Sequence, residues 1–189
     1  MKGNIINMRI ISGKARGTKL YTKEGLETRP TLDRVKESLF NIIQNEIQDS
    51  VVLDLFSGSG AIGLEFASRG AKKVYLCDNS KEASQIIIKN IEKTKLEEKV
   101  FLYNCDFKEI LKKVKEESFN IIYIDPPYKT DYIKQSLKII LELKCIAKDA
   151  LIILETDEED RIIKEIEEFN LIIEDKRAYG RAHLIFIRV

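Results

Sequence analysis

The sequence contains no tryptophan, a single histidine and only three cysteines, Cys77, Cys105 and Cys145, which lie far apart and form no CxxC pair. A zinc centre and a disulfide framework are therefore not expected, and this cysteine usage favours a reducing cytoplasm. No apolar run approaches the roughly 20 residues that a membrane helix needs, and the start "MKGNIINMRI" lacks the apolar core of a signal peptide. We therefore predict a cytoplasmic protein without a membrane segment or a bound metal.

Net charge is also nearly absent, at +1, but the charges are unevenly placed. The first 40 residues carry nine Lys or Arg and four Asp or Glu, a balance of +5, so the rest of the chain carries −4. A basic N-terminal segment on an acidic body predicts contact with a polyanion at one end of the molecule. A solvated charged face is the alternative interpretation. The length of 189 residues, 44% of them apolar, favours a single globular domain with a small appendage.

The order of apolar runs predicts the fold. Two β-like runs, "MRIIS" and "TKLYT", flank "GKARG" as a small hairpin, and Pro30 stands just before a helix. Five apolar runs then alternate with helical segments that begin near residues 61, 81, 107, 131 and 158, whereas the last two β runs have no room for a crossover helix. We predict an α/β fold: a doubly wound, mostly parallel seven-stranded sheet with an antiparallel C-terminal edge. The predicted units are an N-terminal basic hairpin and helix (residues 1–48) and a catalytic domain (residues 49–189).

A glycine-rich loop follows the first long strand. "LDLFSGSGAIG" supplies Gly58, Gly60 and Gly63 as GxGxxG, and Asp78 ends the next strand, where a ribose-binding carboxylate belongs. Enzymes that use NAD share this geometry, and a simple tight turn is the structural alternative. Asp54, inside the first strand, and Asp106, after the third, add an acidic rim. Such a rim suits S-adenosylmethionine, which carries a sulfonium and an amino group but no phosphate.

The four residues "DPPY" follow the apolar run "FNIIYI". Methylation of an exocyclic amino group needs hydrogen-bond acceptors on its two N–H bonds, because its lone pair is delocalised into the base. The carboxylate of Asp125 and the carbonyl of Pro126 are candidate acceptors, and Pro127 keeps the turn stiff. Tyr128 is placed to stack on an unpaired base. The structural alternative is that the prolines only stop a strand.

In this order, "VLDLFSGSGAIGLEF", "CDNS", "NCDF" and "DPPY" resemble the class I S-adenosylmethionine-dependent methyltransferases. The resemblance implies that Asp54, Gly58 and Gly60 line the methionine moiety, Asp78 the ribose and Asp106 the adenine. The neighbouring motif residues Phe56, Asn79 and Phe107 are assigned to the same cofactor site. "DPPY" itself resembles the (D/N)PP(Y/F) signature of methyltransferases that act on adenine N6, cytosine N4 or guanine N2, and it does not choose among them.

The residues before Val51 narrow the choice among methyltransferase families. "MRIISGKARGTKL" and "TRPTLDRVKESLFNII" resemble the start of the RsmD family, which implies N2 methylation of a guanine in bacterial 16S rRNA, of the guanine-966 type. The implied partner is 16S rRNA of the small ribosomal subunit. Because the chain has no room for an added target-recognition domain, we expect an assembled or partly assembled subunit as the substrate, and we expect the protein to be a monomer. The candidate RNA-binding residues are Arg9, Lys14, Arg16, Lys19, Arg29 and Arg34. An adenine-N6 or protein-glutamine methyltransferase, a nicotinamide oxidoreductase and a catalytically idle RNA-binding factor remain as alternatives.

Overall fold

The structure, a computed structural model, describes residues 8–22 and 30–189. In this part of the chain, no helix combines the length and apolarity that crossing a membrane requires. The helices are α1 (Pro30–Ile42), α2 (Ala61–Ser68), α3 (Lys81–Thr94), α4 (Phe107–Lys113), α5 (Tyr132–Leu143) and α6 (Glu159–Glu168). The strands are β1 (Val51–Asp54), β2 (Lys73–Cys77), β3 (Val100–Tyr103), β4 (Phe119–Ile124), β5 (Ile146–Thr156), β6 (Ile172–Tyr179) and β7 (Ala182–Arg188).

The seven strands form one sheet in the order β3-β2-β1-β4-β5-β7-β6. Strands β1 to β5 pair in parallel, and β7 pairs antiparallel with both β5 and β6. The predicted fold class is therefore confirmed. The chain turns outward from β1 to β2 and β3 and then returns to place β4 on the other side of β1. This reversal between β1 and β4 opens a crevice at the carboxyl ends of the strands.

Alternation along the strands separates two apolar cores. Ile121 and Tyr123 of β4 face one core, whereas Ile122 and Ile124 face the other, because successive side chains of a strand point to opposite faces. Helices cover both faces, which is why the central strands read as continuous apolar runs. Helices α2, α3 and α4 begin at the predicted residue, and α5 and α6 begin one residue later. Ser80 caps α3 by accepting the N–H of Ala83 at 3.2 Å.

The N-terminal segment 8–22, here called the arm, forms a small hairpin that packs against the body. The N–H of Ile10 donates to the Thr18 carbonyl at 3.0 Å, and the N–H of Leu20 donates to the Met8 carbonyl at 2.8 Å. Arg9 and Lys19 form its one isolated β-bridge among the described residues. Beyond Ile10, the backbone N–H groups of Ile11 and Ser12 donate to the Glu65 carboxylate, at 2.8 and 2.9 Å. The apolar side chains of the arm join the core cluster that α1 covers, through Ile10, Ala15 and Leu20.

Helix α2 holds the arm along its length. Its buried Glu65 also pairs with Lys36 of α1, at 3.2 Å, and with Arg69, at 2.8 Å, so one carboxylate ties the arm to two helices. At the end of α2, the carbonyl of Ser68 accepts the N–H of Lys14 at 2.8 Å. Gly13 approaches so closely that a Cβ there would lie 1.9 Å from the carbonyl oxygen of Ser68. Only glycine fits this docking of the arm.

Candidate active site

A cleft of about 450 Å³ lies at the carboxyl ends of β1, β2, β3 and β4, where the topology predicts a ligand. Its volume falls within the roughly 300–1,000 Å³ that is usual for a small-molecule site. None of the residues that line it is basic. The lining residues are Leu55, Phe56, Gly58, Cys77, Asp78, Asn79, Cys105, Asp106, Phe107, Asp125, Pro126, Pro127, Tyr128 and Tyr132.

The glycine loop and Asp78 form one hydrogen-bonded unit. One carboxylate oxygen of Asp78 accepts the N–H of Gly58 at 2.9 Å, and the other accepts the N–H of Ser80 at 2.8 Å. The end of β2 is thereby fixed to the loop that follows β1. Each carboxylate oxygen has a further lone pair, so Asp78 can still accept a ligand hydroxyl.

Asp54 lies beneath this loop and does not line the cleft. Its side chain is only 1% exposed, and its Oδ2 accepts the N–H of Gly63 at 3.1 Å. Burial raises the pKa of Asp54 to about 7, although the hydrogen bond from Gly63 opposes the shift. Gly60, predicted with Asp54 to line the methionine moiety, also lies outside the cleft lining: it is the N-cap of α2 in the left-handed conformation, with φ of 79°.

Asp106 and an aromatic group form the opposite wall. The Asp106 carboxylate caps α4 by accepting the N–H of Lys108 at 2.8 Å. Phe107 packs against Phe56, with ring centroids 5.3 Å apart, and against Tyr132, with centroids 5.0 Å apart. The sequence motifs did not single out Tyr132. The sequence did offer one signal for Tyr132, because it lies in the first turn of the helix that follows the candidate catalytic turn.

The DPPY turn closes the cleft at the end of β4. Asp125 is half-buried, Pro126 is buried, and Tyr128 exposes 65% of its surface. The turn is held from behind, because the Thr130 hydroxyl donates a hydrogen bond to the Pro127 carbonyl at 2.9 Å. The structure thus brings all four candidate catalytic residues to one wall of the cleft. An exposed aromatic ring beside a carboxylate is suited to binding a base from the solvent side.

Two acidic side chains behind this turn, Glu155 and Asp54, interact with the Asp125 carboxyl group. Burial, and then the charges of Glu155 and Asp54, raise the pKa of Asp125 well above its ordinary range. Glu155 is the penultimate residue of β5, beside β4, and its carboxylate accepts a hydrogen bond from the Tyr123 hydroxyl. Burial raises the pKa of Glu155 too, while this hydrogen bond opposes the shift. Glu155 was not predicted, because only the strand register places it next to Asp125.

The residues of the cleft fit S-adenosylmethionine. The Oδ1 of Asp54 is a buried side-chain oxygen without a hydrogen-bond partner in the described chain, directly under the glycine loop. Because Asp54 is buried beneath the loop and is not part of the cleft wall, a cationic amino group bound above the loop would stabilise its negative charge through the loop rather than by direct contact. Asp78 and Asp106 supply acceptors along the cleft, and the described residues that line it include no Lys or Arg to pair with a pyrophosphate.

Comparison with known proteins identifies the family. Residues 8–188 match the family model described as Conserved hypothetical protein 95. The chain is 35% identical to YlbH of Bacillus subtilis, named for rRNA methylation, over 92% of this chain and 94% of that protein. It is also 35% identical to Ribosomal RNA small subunit methyltransferase D of Escherichia coli, over 81% of this chain and 76% of that protein. The chain belongs to this family.

Solved structures agree with this assignment to the Conserved hypothetical protein 95 (RsmD) family. The Escherichia coli protein yhhF, named as a methyltransferase, has a TM-score of 0.80 and 32% identity, with 95% of this chain and 96% of that chain covered. A more distant methyltransferase, SMU.776, was solved with SAH and shares the fold, with a TM-score of 0.70 at 20% identity, over 90% of this chain and 53% of that chain. The predicted RsmD resemblance, the methyltransferase class and the cofactor, S-adenosylmethionine, are confirmed.

In this methyltransferase, the candidate RNA-binding residues fall into two groups on the arm and one on α1. Arg9 and Lys19 are exposed bridge partners, and Lys14 and Arg16 are exposed in the turn that docks at Ser68. Because α2 has eight residues, this turn lies about 12 Å from the glycine loop, at 1.5 Å per residue. Arg34 is exposed on α1. Arg29 lies outside the described residues.

Proposed function

We propose that this protein methylates the exocyclic N2 amino group of a guanine in 16S rRNA, of the guanine-966 type, on assembled or partly assembled small ribosomal subunits. The single observation that carries the proposal is that the DPPY turn faces the same cleft as the glycine loop, Asp78 and Asp106. The relatives named as ribosomal RNA small subunit methyltransferases support the choice of rRNA.

The DPPY turn supplies acceptors to an amino group. The Asp125 carboxylate and the Pro126 carbonyl can each accept one N–H bond, which favours a pyramidal nitrogen with its lone pair directed away from both. When bound, S-adenosylmethionine supplies an electrophilic methyl group on its sulfonium. The raised pKa of Asp125 makes it a better proton acceptor than an ordinary aspartate once the nitrogen carries the added methyl group. Holding the reactants in line supplies much of the remaining rate enhancement.

The exposed ring of Tyr128 supports an unpaired or extruded base as the substrate. A base inside a helix cannot reach a cleft wall at the end of a strand, so it has to leave its stack. An aromatic ring that is largely exposed beside the acceptors can stack on the face of the base after extrusion. This contact orients the amino group without reading its sequence context.

The arm is the proposed RNA-contacting extension, within residues 1–48. Its exposed residues Arg9, Lys14, Arg16 and Lys19, with Arg34 and Arg29 of the following segment, are proposed to bind phosphates of the rRNA backbone. Phosphate contacts position a substrate and carry no base information, so target choice would come from the shape of the small subunit. The proposed enzyme acts as a monomer in the cytoplasm.

One observation favours a second candidate. Part of the chain is 39% identical to a Release factor glutamine methyltransferase of Borreliella burgdorferi, over 109 residues, which cover 58% of this chain and 35% of that protein. A glutamine side-chain amide also has a planar nitrogen with a delocalised lone pair, so the DPPY turn could serve the same chemistry. A release-factor substrate would give no role to the basic residues of the arm.

Transfer of labelled methyl groups distinguishes these substrates. The acceptors would be small subunits that lack the modification, naked 16S rRNA, duplex DNA and a release-factor peptide, each with wild-type protein and with Asp125→Ala. We expect labelled N2-methylguanosine from subunits, with the variant strongly impaired. Label in the peptide would establish the second candidate, and N6-methyladenine in DNA would replace the guanine assignment.

A further inference from the structure

A buried asparagine connects the arm to the glycine loop. Asn90 lies on α3 with none of its surface exposed. Its Oδ1 accepts the N–H of Tyr21 at 2.7 Å, and its Nδ2 donates to the Tyr21 carbonyl at 2.9 Å. The same Nδ2 donates to the carbonyl of Ser59 at 2.9 Å. One amide therefore uses both of its donor hydrogens and an acceptor lone pair on two segments far apart in sequence.

Both ends of the arm meet at the same loop residue. The Ser59 hydroxyl lies 3.5 Å from the sulfur of Met8 at the start of the arm, while Asn90 brings Tyr21 to the Ser59 carbonyl. Met8 and Tyr21 are close because the N–H of Leu20 donates to the Met8 carbonyl at 2.8 Å. The end of the arm that is nearest the cleft is thus anchored to the middle of the glycine loop.

The chain of contacts continues into the cleft. Ser59 stands between Gly58, whose N–H donates to Asp78, and Gly60, which caps α2. A displacement of Ser59 would therefore move a residue that lines the cofactor cleft and its hydrogen bond to Asp78. Asn90 itself lines neither the cleft nor an exposed surface, so its contacts give it no direct part in binding either ligand.

We propose that Asn90 is a positioning residue through which the arm holds the cofactor loop in its binding conformation, so that rRNA on the arm and cofactor in the cleft strengthen each other's binding. The mutual effect rests on the proposed function, whereas the support of the loop does not. Such coupling is reciprocal, because the two ligands share one thermodynamic cycle. The arm then has a second task besides contacting phosphates.

Calorimetric binding of SAH to the variant Asn90→Asp at pH 8 tests the support of the loop. The change keeps the shape and the acceptor for Tyr21, but it places a carboxylate oxygen against two carbonyls in place of the donor. Thr94→Val is the matched control, since the Thr94 hydroxyl donates only to carbonyls of its own helix. We expect SAH affinity to fall about fivefold or more in Asn90→Asp and to stay within about twofold in the control. Unchanged affinity in a folded Asn90→Asp variant would overturn the proposal.

A backbone variant covers the case in which Asn90→Asp does not fold. Tyr21→Pro removes the N–H that Asn90 accepts, and Tyr21→Ala keeps that N–H while removing the same ring, which Lys93 contacts at 4.3 Å. We expect weaker SAH binding in Tyr21→Pro than in Tyr21→Ala. Equal SAH affinities in Tyr21→Pro and Tyr21→Ala would contradict the proposal that Asn90 connects the arm to the glycine loop.

The mutual effect is measured by titrating SAH with and without saturating unmodified small subunits. In the wild type, we expect the subunits to increase the affinity for SAH. In Asn90→Asp, we expect the ratio of the SAH affinity with subunits to the SAH affinity without them to fall toward one. An equal gain in both proteins would contradict the role of Asn90. If the wild type binds SAH but not subunits, the proposed rRNA substrate fails, while the calorimetry with SAH alone still decides whether Asn90 supports the loop.

Discussion

The hydroxyl of Tyr123 donates a hydrogen bond to the carboxylate of Glu155, one strand away and beside the candidate catalytic Asp125. Tyr123 is buried in the sheet, and Glu155 exposes only 8% of its surface. The pair therefore fixes a second carboxyl group behind the DPPY turn, in surroundings where charge interactions are weakly screened. A negative charge at Glu155 disfavours ionisation of Asp125, which makes Asp125 more basic.

We expect Glu155→Gln to change the pH dependence of methyl transfer. Asp125 accepts a proton only when it is ionised, so activity should rise with pH through its raised pKa. Removing the neighbouring charge lowers the pKa of Asp125, so the acid limb of kcat/KM should move to lower pH. Single-turnover rates between about pH 5 and 9 measure this limb, with Glu159→Gln as the control, because Glu159 pairs with Lys176 and His183 instead. An acid limb that stays in place would exclude this role for Glu155.

Asp125→Ala should abolish most of the activity without loss of cofactor binding. It removes one of the two proposed acceptors, and loss of a positioned proton acceptor costs about 10²–10⁴-fold in rate. The variant removes a half-buried carboxyl group with a raised pKa, so stability should not fall. Methyl transfer under single-turnover conditions and SAH calorimetry are the two measurements. Activity close to that of the wild type would exclude Asp125 as an acceptor.

The sequence predicted the parts of this site that are local to single motifs. Asp78 and the DPPY turn directly follow strands, Gly58 and Asp106 lie in the short loops after strands, and the parallel order of the strands brings these ends together. The sequence could not predict how deeply a side chain is buried. Asp54 is only four residues from Gly58, yet it points beneath the loop, because its carboxylate binds the N–H of Gly63 in α2.

The sequence also could not predict the contacts between segments that are distant along the chain. The small hairpin of the arm was predicted, but its docking on the body was not, because the carboxylate of Glu65 accepts the N–H groups of Ile11 and Ser12 across more than 50 residues of chain. Glu155 and Asn90 carry no motif of their own. Their neighbours are decided by strand register and by helix packing, and neither follows from local periodicity.

We expect Asp54→Asn to gain stability relative to the wild type as pH rises. The pKa of Asp54 is 3.8 in the unfolded chain and about 7 when folded, so between these values the folded state holds the extra proton. The stabilisation that this proton gives the folded wild type is complete below about pH 4. It is lost as pH rises through 7, by up to roughly 1.4 kcal/mol per pH unit. Asparagine does not titrate, and its amide oxygen can still accept the N–H of Gly63.

Urea denaturation of both proteins at pH 5, 6, 7 and 8 measures this difference. The free energy of unfolding of Asp54→Asn minus that of the wild type should increase up to about pH 7 and then level off. Asp157→Asn, at an exposed position, is the control and should show little change. A difference that does not vary with pH would mean that Asp54 ionises normally in the folded protein.

Replacing Lys14 and Arg16 together with alanine should weaken rRNA binding and reduce its dependence on salt. Each phosphate contact releases counterions, so losing two contacts should lower the slope of log K against log salt by about 1.4 for single-stranded RNA. Both side chains are exposed in the arm turn, and the backbone contacts of this turn with Ser68 do not depend on them, so folding should be preserved. A variant with Lys112 and Lys164 changed to alanine has the same net charge but keeps the arm intact. If that control lowered the slope equally, binding would follow overall charge, and the arm would lose its assigned contact with RNA.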